Sequence, residues 1–183
     1  TWIKNSIKER NRGMCSAIKI LAIKELLNEI PNPILWIDAG SQIGQSITVI
    51  ENYIKENGYF FTCFANDGHM NKYTHIDMLN YFKVPEYKKY LGHTSGGNIG
   101  FTGGNNSWVY KNIVLPSFKC VINKKCIEPN GANINNHRYD SSLISLLIEK
   151  NNIRCGDKKV NFQNYCTENI RCCAGGPPFS KKC

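Results

Sequence analysis

The chain has 183 residues, with 23 Lys and Arg against 14 Asp and Glu for a formal charge of +9, and nine cysteines. That length suits one domain, able to bury roughly 70% of its extended surface. The sequence holds no uninterrupted apolar run of about 18 residues, which excludes a membrane-spanning helix within it. Its scattered basic residues come with no nucleic-acid-binding module, so a basic surface for phosphates or acidic glycans suits the charge better than DNA or RNA. The chain opens on Thr1 rather than Met and shows no signal-peptide pattern, so its start reads as a processed or trimmed end.

From Ser16, apolar residues at Ile20, Ile23, Leu27 and Ile30 recur at helical spacing, and Pro31-Asn32-Pro33 stops the helix. The apolar run after Pro33, Ile34-Leu35-Trp36-Ile37, reads as a buried strand that carries Asp38 to its carboxyl end before Gly40 breaks it. In open α/β sheets, ligands sit beyond the carboxyl ends of strands, so an acid there is placed for chemistry or for holding a cation. The plainer alternative is that Asp38 caps a turn or the next helix.

A second helix begins at Ser46, runs through Val49, Ile50, Tyr53 and Ile54, and closes at Asn57-Gly58. Tyr59 to Phe64 reads as an aromatic-rich strand, Ala65 to Tyr73 as a polar loop holding His69, and Thr74 as the cap of a short helix with Met78, Leu79 and Phe82. His93-Thr94-Ser95-Gly96-Gly97-Asn98-Ile99-Gly100-Phe101 follows, its glycines allowing either close approach of backbone to a ligand or a bulge in a strand. Trp108 to Phe118 reads as a helix that Pro116 shortens or kinks. After the turn-prone Glu128-Pro129-Asn130-Gly131, His137-Arg138-Tyr139-Asp140 leads into an apolar helix over Leu143 to Ile148, with Asp140 at its start, where the dipole favours a carboxylate.

The cysteines point to an oxidising compartment. Cys120 and Cys126 flank a short polar loop and read as a local bridge, and five more lie in the tail at Cys155, Cys166, Cys172, Cys173 and Cys183. Irregular spacing and the absence of His from that tail favour disulfides over zinc. The odd total leaves at least one thiol free or paired outside the chain. Asn105-Asn106-Ser107 is a glycosylation sequon, in keeping with a secretory route. The polar tail after Asn151 lacks core periodicity and is expected to wrap the domain.

Three motifs in order carry a resemblance: Trp36-Ile37-Asp38-Ala39-Gly40, then Cys120-x₅-Cys126-Ile127-Glu128-Pro129-Asn130-Gly131, then His137-Arg138-Tyr139-Asp140-Ser141-Ser142-Leu143. Over residues 12 to 153 the chain resembles nucleotide-diphospho-sugar transferases of the GT-A type, and especially a poorly characterised animal group that shares these motifs. The resemblance implies an α/β fold, a GT-A-like three-layer α/β/α sandwich with a mixed sheet, spanning residues 1 to 153, and a disulfide-rich tail, 154 to 183, packed on it. GT-A domains normally open with a βα unit for the nucleotide base. Here the Asp38 strand follows a single clear helix, which implies an amino-terminal part removed or a reduced member.

The resemblance also implies a glycosyltransferase that moves a sugar from a nucleotide-diphosphate donor to a glycan or protein hydroxyl. It implies the secretory pathway as location, Golgi lumen or secreted, with membrane attachment only through an amino-terminal anchor outside this sequence. Asp38 takes the first acidic position of the metal-binding Asp-x-Asp motif, implying manganese or magnesium at the diphosphate, while the second position is Gly40, which cannot ligate. Ser95, Gly96, Gly97 and Asn98 resemble the strand lining the sugar and acceptor side. Asp140 resembles the late acid that orients hydroxyls or acts as base, and Ser141 stands where the family carries Gln. His137 and Arg138 either touch phosphates or merely flank the helix as polar residues. The rival expectations are a transferase-like carbohydrate-binding protein without turnover and a secreted structural protein.

Overall fold

In the computed structural model, which describes residues 12–39, 41–44, 46–85, 92–153 and 166–167, the first element is helix α1, Arg12–Glu29. Its buried stripe is Ala17, Ile20, Ile23 and Leu27, the last three as the spacing predicts, while the fourth expected position, Ile30, lies past the helix end and is exposed. Ser16 and Lys19 are buried along with that stripe. The next elements are strand β1, Ile34–Ile37, the short strand β2, Gln42–Ile43, and helix α2, Thr48–Asn57. Gly58 ends α2 in the left-handed region at φ 84°, a conformation that glycine adopts without penalty.

Strand β3, Tyr59–His69, continues five residues past the expected end at Phe64, into the stretch read as a loop. The reason is tertiary. Strand β4, Gly92–Phe101, supplies ladder partners as far as His69, opposite Gly92, and pairing of this kind outweighs the weak strand preference of polar residues. Helices α3, Met70–Tyr73, and α4, Ile76–Phe82, follow β3, and α4 is capped by His75 rather than Thr74, its ring Nδ1 accepting the Asp77 N–H at 3.3 Å.

The sheet order is β1-β4-β3, and both neighbouring pairs are antiparallel. The mixed sheet expected of a GT-A-like sandwich is therefore not what these described strands form. β1 and β3 point the same way, joined through α2, and β4 lies between them in the opposite sense. This is a split β-α-β unit. Its consequence is positional: the carboxyl end of β1 lies beside the middle of β4, with Ile37 opposite Asn98 and the Asp38 N–H on the Gly97 carbonyl.

Strand alternation splits the sheet into two apolar faces. Leu35 and Ile37 pack with Ile50 and Ile54 of α2 and with Phe60, while Ile34, Trp36, Phe61, Ile99 and Phe101 join the larger core built with α1. That larger core also takes residues from the carboxyl-terminal helices. A π-helical segment, Tyr110–Val114, runs into α5, Leu115–Val121, followed by α6, Lys124–Ile127, and α7, Tyr139–Lys150. Helices thus cover both sheet faces. Pro116 has no N–H to return to the Asn112 carbonyl, which accepts the Asn151 amide at 3.3 Å. A disulfide joins Cys120 to Cys126, as the spacing suggests.

Of the cysteine-rich tail, the described part is strand β5, Cys166–Thr167, which pairs antiparallel with β2. The rest of the expected tail domain, with its other cysteines, lies outside the described residues, as does Gly40. Among the described residues no helix is long and apolar enough to cross a membrane.

Candidate functional site

Asp38 follows β1 directly, and its N–H donates to the Gly97 carbonyl at 2.9 Å, extending the β1–β4 ladder by one rung. Its own carbonyl accepts the Ser41 N–H at 2.9 Å, so the backbone turns here and the side chain is left for other partners. Trp36, two residues earlier on the same strand face, donates its indole N–H to Asp38 Oδ1 at 2.7 Å. The Asp38 side chain is 47% exposed.

β4 opposes this corner with a bulge. Phe61 pairs with Ile99 and Cys63 with Thr94, so β4 takes five steps while β3 takes two. The amides freed by the bulge find partners on α7: Gly96 N–H donates to Ser141 Oγ at 3.0 Å, and Thr94 N–H to Ser145 Oγ at 2.8 Å. The hydroxyls at i and i+4 of one helix thus dock the bulge. A Cβ on Gly96 would lie 2.5 Å from Asp140 Oδ2, and one on Gly97 would lie 3.1 Å from Asp38 Oδ2. Both glycines are small because two carboxylates approach them.

The amino end of α7 is set by Tyr139, at φ 45° in the left-handed region, which brings Asp140 into the first helical turn. Ser16 of α1 meets it there. Its hydroxyl donates to Asp140 Oδ1 at 3.1 Å and accepts the Asp140 N–H at 3.4 Å, capping α7 from another element.

One turn along α1, Lys19 joins the two acids. Its ammonium lies 2.5 Å from Asp140 Oδ2, 3.0 Å from Asp38 Oδ1 and 2.6 Å from the Gly96 carbonyl. Three N–H donors thus meet three oxygens. Burial pushes the Lys19 ammonium toward losing its proton. The charges of Asp140 and then Asp38, with their hydrogen bonds, outweigh that and hold it above the ordinary lysine range. For Asp140 too burial is the largest influence, pushing the carboxyl up. The Lys19 charge and hydrogen bond, with those of Ser16 and the Ser141 backbone, prevail and hold it below the usual range. Lys19 and Asp140 thus hold one another in their charged forms.

Asp38, Gly96, Gly97 and Asp140 are therefore brought together, from stretches more than 40 residues apart in sequence. Ser95 belongs to the bulge, its hydroxyl accepting the Gly97 N–H at 3.2 Å. Asn98 is placed elsewhere. It pairs with Ile37, whose side chain faces α2, so Asn98 lies on that opposite face, buried, with Oδ1 lacking a partner among the described residues. His137 is fully buried, Nδ1 accepting the His75 N–H at 3.2 Å and Nε2 at 3.1 Å from the Ile127 carbonyl. With Nδ1 accepting, Nε2 is the protonated nitrogen and the ring is neutral, occupied in tying α4 to α6 rather than touching a phosphate. Arg138 stacks on Tyr73, its Cζ 4.1 Å from the ring centroid, and Lys72 approaches the same ring at 5.0 Å. The Tyr73 hydroxyl is held below its ordinary range by the hydrogen bond to Lys72, with further help from Arg138.

Sequence reasoning missed Lys19 and Ser16. The signal was there: both stand on the apolar stripe of α1, Lys19 four residues before Ile23, and a lysine on a buried stripe implies a charged partner across the core. Comparisons of the chain with protein-family models, curated proteins and solved structures return no match.

Proposed function

We propose that the chain is a glycosyltransferase, moving a sugar from a nucleotide-diphosphate donor to a hydroxyl of a glycan or glycoprotein in the secretory pathway. One observation carries the reading. The acid at the end of β1, the glycine pair of β4 and the acid at the start of α7 meet at a single corner of the sheet. In the transfer, the bond from the sugar's anomeric carbon to the diphosphate breaks. A bond from that carbon to the acceptor oxygen forms, and the acceptor proton passes to a base. Asp38 is the carboxylate with room for that contact, half exposed and backed by the bare Gly97 backbone. Asp140, with both oxygens engaged and its proton affinity lowered, acts by holding Lys19 and the bulge in place. Arg138 and Lys72, gathered on Tyr73, are the cations this reading assigns to the diphosphate, since Lys19 is taken up by the two acids and the Gly96 carbonyl.

The donor set does not fit a divalent cation at Asp38. Asp38 Oδ1 is shared by Lys19 and Trp36, the second carboxylate at this corner is held by the same ammonium, and glycine at position 40 brings no side-chain ligand. No step is assigned to a metal.

Thermal unfolding of the chain with UDP- and GDP-sugars tests the reading. A donor-specific rise in midpoint that Asp38→Asn removes supports it, and no rise with any donor contradicts it. The saturated Asp140 favours a second reading, a carbohydrate-binding protein without turnover. In that case Asp38→Asn spares glycan binding and no donor is consumed.

A further inference from the structure

The Lys19 ammonium occupies a cage of three oxygens, Asp38 Oδ1, Asp140 Oδ2 and the Gly96 carbonyl, at 3.0, 2.5 and 2.6 Å. Two carboxylates and a backbone carbonyl are the ligand types that hard divalent cations take, at distances of about 2.0–2.6 Å. Lys19 reaches the cage from α1, and its stem is buried with the apolar stripe of that helix, so the ammonium is fixed there by packing as well as charge. A metal entering beside it would meet a like charge with its best ligands already taken.

We propose that Lys19 is the resident cation of this site. It is a positioning residue that holds Asp38 and Asp140 in register across the β4 bulge, so that the site works without a divalent metal. Its removal leaves a cage that a metal fills. The functional half rests on the glycosyl-transfer reading, and the cage itself does not. The three acceptors exhaust the three ammonium donors, so Lys19 does not reach out to a phosphate. It acts through Asp38, which it meets at Oδ1. The ammonium also explains how an acid at the end of β1 persists beside a second one without an acidic partner two residues on.

Manganese binding followed by electron paramagnetic resonance, on the full chain, tests the inference. The wild type is expected to leave added manganese free. Lys19→Ala is expected to bind one ion per chain, and Lys19→Ala with Asp38→Asn to lose it. A wild-type site that takes up manganese and loses it in Asp38→Asn overturns the proposal, as does a folded Lys19→Ala chain that binds none. Should Lys19→Ala not fold, the wild type still decides. Any donor-induced rise in its thermal midpoint is expected to be the same in EDTA as in manganese, and a rise confined to manganese overturns the proposal. If no donor acts under either condition, the glycosyl-transfer reading fails, while the wild-type manganese titration still tests Lys19.

Discussion

Gly96 and Gly97 differ in how tightly a carboxylate presses on them, and that difference is measurable. A methyl at Gly96 meets Asp140 Oδ2 at 2.5 Å and Ser141 Oγ at 2.8 Å, with Asp140 pinned by Lys19 and Ser16 and unable to yield. At Gly97 the contact is 3.1 Å, with a half-exposed Asp38 that can turn aside. Gly96→Ala is expected to cost about 1–3 kcal/mol, the range for overpacking, and Gly97→Ala clearly less, read from urea midpoints. The ion triad has its own signature. Asp140 is held below its unfolded value, so the stability it contributes is complete above that value, about 3.9, and is lost as pH falls through the lowered folded value. Lys19 is raised, so its contribution is complete below the unfolded lysine value and lost only as pH rises through the higher folded one. Urea midpoints measured on the acid side are expected to fall more steeply for the wild type than for Asp140→Asn. Equal slopes contradict the pairing.

At the scale of elements, the bulge of β4 on α7 is the joint that matters. Ser141→Ala removes the acceptor for a Gly96 N–H that has no strand partner to return to, and is expected to cost about 1–3 kcal/mol with the fold retained by circular dichroism. Helical stripes were legible because they are local. The α1 stripe, the Gly58 cap of α2 and the apolar run of α7 all follow from spacing within a few residues. The strand carrying Asp38 and the Cys120–Cys126 bridge were legible for the same reason. What spacing does not contain is the partner of each strand. The continuation of β3 to His69, the antiparallel placement of β4 and the turning of Asn98 toward α2 depend on pairing across the sheet. His137 looked chemical because histidine is versatile, and tertiary contacts put it to structural use between two backbone groups. Lys19 was not singled out by the sequence, and only the meeting of α1 with β1 and α7 gives it a role.

For the molecule as a whole, a secretory route makes a prediction apart from the site. Asn105 is exposed in a turn, two residues before the Ser107 that caps the following helical segment. Expressed through a secretory host, the chain is expected to carry one N-glycan that glycosidase treatment removes and Asn105→Gln prevents, by intact mass. Lack of the glycan contradicts passage of this chain through that route in this fold. The split β-α-β arrangement sets the larger expectation, since it delivers β1, β4 and α7 to one corner and leaves Asp38 facing outward there. The most direct measurement is backbone and indole amide shift mapping on titration with UDP- and GDP-sugars. A donor site at the end of β1 requires the Gly97 amide and the Trp36 indole to move together, saturably and for a preferred donor. Shifts confined to another surface, or none with any donor, would contradict it.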